Sequence, residues 1–73
     1  MKAYKNLNGN SGVIAYEMGD GSITVQFSTT TYLYNDQSAG AANIQRMHVL
    51  AEAGRGLGSF INTSVRKAYA RKW

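Results

Sequence analysis

Val13-Ile14-Ala15-Tyr16-Glu17-Met18-Gly19-Asp20-Gly21-Ser22-Ile23-Thr24-Val25-Gln26-Phe27-Ser28 carries the pattern that decides the fold. Two runs of β-branched and aromatic residues flank an Asp-Gly pair, the short-range signature of a hairpin. Ile23, Val25 and Phe27 alternate with polar residues, so one face of that strand points into the core. Upstream, MKAYKNLNGNSG is polar and turn-rich, with Asn8-Gly9 favouring a tight turn. It reads as a flexible arm over residues 1–12, with room for a short strand around Ala3–Lys5. Downstream, Thr31-Tyr32-Leu33-Tyr34 forms a third strand, its two tyrosines on one face and Leu33 on the other. Three strands joined by short turns make an antiparallel meander.

The period then changes. Asn35-Asp36-Gln37-Ser38 offers cap residues before a helical stretch over 39–53. Ile44, Met47, Leu50 and Ala51 form its apolar stripe, and Gly54 is placed to end it in the left-handed conformation. Arg55-Gly56-Leu57-Gly58 is a corner. Ser59 can cap a second helix carrying Phe60, Ile61, Val65, Ala68 and Tyr69 on its apolar side. The order β-β-β-α-α predicts an α+β fold with two helices packed on one face of the sheet. The expected core is Ile23, Val25, Phe27, Ile44, Met47, Ile61 and Val65. The domain spans 13–70, and residues 71–73 are a basic C-terminal end.

The 73 residues fit one small domain with a thin core. Cysteine is absent, which excludes disulfides and thiolate zinc sites. No apolar run approaches the roughly 20 residues of a spanning helix, and no signal-peptide h-region is visible, so the cytoplasm is expected. The net charge of +4 is unevenly placed. Residues 1–45 carry −1, because Lys2 and Lys5 are outnumbered by Glu17, Asp20 and Asp36, while residues 46–73 carry +5. A basic end of that kind attracts phosphates, acidic protein surfaces or anionic lipid.

Catalytic signals are weak. His48 is the single histidine, and no nucleophile elbow or carboxylate pair accompanies it. The alternate glycines of 54–58 sit between helices rather than after a strand, so they read as backbone corners, not a phosphate cradle. Asn62-Thr63-Ser64 matches a glycosylation acceptor and reads as chance. No enzyme, cofactor or metal is expected. The five tyrosines leave two readings open. They fill the core edge, or Tyr32 and Tyr34 form a platform that stacks single-stranded bases while Arg and Lys hold phosphates.

Ser11-Gly12-Val13-Ile14-Ala15-Tyr16, Tyr32-Leu33-Tyr34, Leu50-Ala51-Glu52-Ala53-Gly54-Arg55-Gly56-Leu57, Phe60-Ile61-Asn62 and Val65-Arg66-Lys67-Ala68-Tyr69 appear in an order that resembles the KTSC family. These are small domains named for the C-terminal extension of some lysyl-tRNA synthetases. The resemblance covers roughly residues 11–70 and implies RNA binding. The chain departs from the pattern in having Asn35-Asp36-Gln37-Ser38 where the family has Val-Pro. As a whole it is also similar to small phage-encoded inhibitors of bacterial RNA polymerase that double as antiterminators. That resemblance implies a polymerase partner, contacted near the start of the β′ subunit and the RNA exit region. The residues expected to meet a partner are Tyr4, Lys5 and Leu7 of the arm with Arg66, Lys67, Arg71, Lys72 and Trp73 of the basic end. An RNA-binding module is the alternative.

Overall fold

The computed structural model describes residues 1–7, 9 and 12–73. The expected turn at Asn8 and the Ser11 start of the resemblance lie outside the described residues. The chain is a small α+β domain built on one antiparallel sheet of five strands. Its elements are β1 (Lys2–Ala3), β2 (Val13–Gly19), β3 (Ser22–Phe27), β4 (Thr31–Asn35), α1 (Asp36–Ala39), α2 (Ala41–Ala53), α3 (Leu57–Phe60), a π-helical turn (Ile61–Val65) and β5 (Arg71–Lys72). The strand order is β1-β2-β3-β4-β5, so every strand pairs with its neighbours in sequence.

The β2–β3 hairpin turns on Asp20-Gly21, with Gly19 opposite Ser22 and Gly21 at φ 71°. A Cβ on Gly21 would lie 2.7 Å from the Asp36 carboxylate, so only glycine fits. Ile23 pairs with both Met18 and Tyr34, and Val25 with both Tyr16 and Tyr32. These rows form the inner face, on which the helices pack. Ile44, Met47 and Ala51 supply the buried stripe of α2. Leu57, Ile61 and Val65 close the core from the second helical segment.

Four expectations need correction. Phe27 is half-buried and packs against the core from its rim, because it sits opposite Val13 at the end of β3, beside a register shift. The predicted helix over 39–53 is two helices. Asn35 caps α1 through a reciprocal box with Ser38, and Gly40 at φ 94° separates it from α2. The second helix begins at Leu57 rather than after Ser59, and it widens and stops at Arg66, whose N–H bonds Ile61 O. The chain then turns back so that β5 pairs with β4, satisfying an edge that a longer helix would leave open. Finally, the arm is docked. Lys2 and Ala3 pair with Tyr16 and Ala15, and Tyr4 enters the core at 6% exposure. Leu57 N–H donates to the Tyr4 hydroxyl, and Leu7 N–H donates to Gly54 O. Gly54 ends α2 in the left-handed conformation as expected. Among the described residues, no helix is long and apolar enough to cross a membrane.

Candidate binding groove

Strand register sorts the basic end onto two faces. Lys72 pairs with Tyr32 and so shares the inner face, whereas Arg71 pairs with Leu33 on the outer one. Trp73 exchanges both backbone hydrogen bonds with Thr31, which puts it with Arg71. The Arg71 guanidinium lies 5.5 Å from the Trp73 ring centroid, a cation–π contact on an exposed surface. Five exposed residues, Arg66, Lys67, Arg71, Lys72 and Trp73, therefore belong to one end of the sheet but not to one patch.

The N-terminal candidates lie elsewhere. β1 and β5 are opposite edges of the sheet, four interstrand spacings or about 19 Å apart. Lys5 is exposed and crosses Gly54, whose missing Cβ would lie 2.6 Å from the Lys5 Cβ. Leu7 is 62% exposed at the same helix corner. Tyr4 is buried and unavailable to a partner: its ring meets Tyr16 edge-on and its hydroxyl serves Leu57. The arm and the basic end do not come together.

On the inner face, between β4 and the π-helical turn, lies a groove of ≈ 250 Å³. Phe27, Tyr32, Tyr34 and Ile61 form its apolar part, and Asn62, Arg66 and Lys67 its polar rim. Tyr32 is held by three rings, Phe27 at 5.6 Å, Tyr34 at 6.2 Å and Tyr69 at 5.0 Å. Lys72 Nζ reaches the far side of this row, 5.9 Å from the Tyr69 centroid. Tyr34 is fully buried and donates its hydroxyl to Arg66 O at 3.1 Å. Burial, with Tyr32 and Tyr69 adding to it, pushes this hydroxyl from 10.0 up to about 12, so Tyr34 stays a neutral donor. A platform of Tyr32 and Tyr34 open to solvent is therefore absent, because the helical segment covers Tyr34.

The turn that carries the two rim cations is unusual. Ala68 N–H bonds Val65 O, closing a four-residue turn with Arg66 and Lys67 at its centre. Arg66 sits at φ 34°, ψ −104°, near the first central position of a type II′ turn, where glycine is normal. The bond from Tyr34 holds the Arg66 carbonyl in place.

A second depression lies near Asp20, Asp36 and His48. His48 is half-buried, and its Nε2 lies 2.7 Å from Ser22 O, so this nitrogen carries the hydrogen and ties α2 to β3. Among the described residues no group of three His, Asp or Glu side chains is placed to hold a metal ion. The groove was missed in the sequence because Phe27, Tyr32 and Arg66 meet only through the register of β3 with β4 and the early stop of the helix. Comparison with protein-family models, with curated proteins and with solved structures gives no match for the chain.

Proposed function

We propose that the chain is a phage transcription regulator that binds bacterial RNA polymerase, blocks sigma-dependent promoter initiation and promotes antitermination. The contact lies near the start of the β′ subunit and the RNA exit region. The observation that carries the reading is unpaired positive charge on an ordered scaffold. Arg66, Lys67, Arg71 and Lys72 are exposed, and none forms an ion pair among the described residues. Fixed charge of one sign steers an oppositely charged partner and sets its register. Trp73, 60% exposed, adds an aromatic of the kind that dominates interface energy. The resemblance to phage polymerase inhibitors supplies the partner's identity.

The test is binding of the folded chain to purified polymerase, with and without nuclease, followed by promoter and terminator transcription. Binding that survives nuclease, and that the double reversal Arg66→Glu with Lys67→Glu weakens about tenfold or more, supports the reading. Affinity that disappears with nuclease and falls steeply with salt favours the RNA-binding alternative, because counterions are then released from phosphates.

A further inference from the structure

We infer that the groove of Tyr32, Ile61, Asn62 and Lys67 docks a peptide segment in which one apolar side chain is flanked by Asp or Glu. The inference rests on the protein-binding reading and names the chemistry of the segment recognised. Size comes first. At ≈ 250 Å³ the groove falls below the roughly 300–1,000 Å³ of pockets that engulf a small molecule, and it suits one side chain. Chemistry comes second. Half-buried Phe27 and Tyr32 offer an apolar wall over buried Ile61, while Arg66 and Lys67 stand at the rim without carboxylate partners among the described residues. Asn62 is exposed, and among the described residues its amide makes no side-chain hydrogen bond, so it is free to pair with a peptide backbone.

A stacked base fits less well. Stacking needs an open ring face. Tyr34 has none, and Tyr32 is already engaged by Phe27, Tyr34 and Tyr69. A carboxylate beside an aliphatic or aromatic anchor uses both the wall and the rim. Such an anchor in a desolvated pocket supplies most of the affinity, and the rim charges select the acidic flanks.

The experiment pans a random peptide library on the folded full chain and measures the selected peptides by fluorescence polarisation. The expected consensus is an apolar residue between acidic ones. Lys67→Glu, shown folded by circular dichroism, weakens these peptides about tenfold or more, since attraction becomes repulsion. Gln26→Ala, on the other face of the sheet, leaves them within about twofold, as expected of independent sites. An empty selection, a consensus without acidic residues, insensitivity to Lys67→Glu, or displacement by oligouridylate overturns the inference. Polymerase binding is measured separately. A chain that binds polymerase but selects no acidic peptide refutes the groove alone, and the reverse result refutes the polymerase reading alone.

Discussion

Arg66 holds a backbone conformation that costs an L-residue about 1–3 kcal/mol. Arg66→Gly removes that strain and gives back about 0.4–1 kcal/mol through a freer unfolded chain. The expected net is a gain of about 1 kcal/mol, seen as a melting temperature roughly 4–8 °C higher. Binding falls in the same variant, because a rim cation is lost. A lower melting temperature would show that the turn is unstrained. Tyr34 makes a second residue-scale prediction. Its folded hydroxyl ionises near 12 against 10.0 when unfolded, so the folded state holds a proton that the unfolded state releases. The stability from this difference is complete below pH 10 and declines as pH rises towards 12. Ultraviolet titration should show one tyrosine ionising late, and Tyr34→Phe should remove that late step.

At the scale of elements, the docked N-terminal segment is a structural part of the domain. Gly54→Ala meets both a left-handed backbone at φ 80° and the Lys5 side chain, so it should cost more than the roughly 1–2 kcal/mol of the conformation alone. Chemical denaturation measures it, and a variant as stable as the parent would mean that the segment yields readily. Deleting residues 1–10 removes buried Tyr4, a loss of about 3–5 kcal/mol, so it reads stability before it reads binding. The hairpin, the alternation of Ile23 and Val25, the α2 stripe and the Gly54 stop were legible because each has a local cause: turn chemistry, period or a cap. β5 was not, since two residues carry no period and their pairing is set by the strand they meet, and the short strand expected around Ala3–Lys5 falls at Lys2–Ala3. The helix through Ala68 and Tyr69 was misread for a related reason. Their spacing is helical, but Tyr69 packs on Tyr32 and Ala70 N–H bonds Leu33 O, so tertiary pairing overrides the period. For the candidate site, the residue types at the basic end were visible in the sequence. Their division between two faces was not, because it depends on register.

For the whole molecule, one face of the sheet carries the helices and the other bears Ala15, Glu17, Thr24, Gln26, Leu33 and Arg71, with no helix over them among the described residues. The sheet closes on β5, reached only after both helical segments, whereas β2, β3 and β4 follow one another through short turns. Local hairpins need little loop closure, and the β4–β5 ladder needs much more. Short ladders at the end of such a loop open at a fraction of the global unfolding free energy. In deuterium-exchange terms, the amides of Ala70 and Trp73, bonded to Leu33 and Thr31, should label well before those of Val25 or Ile23. A partner seated across this edge would slow them selectively. The edge that carries Arg71 and Lys72 thus doubles as a built-in reporter, whose exchange clock registers occupancy while the core's stays still.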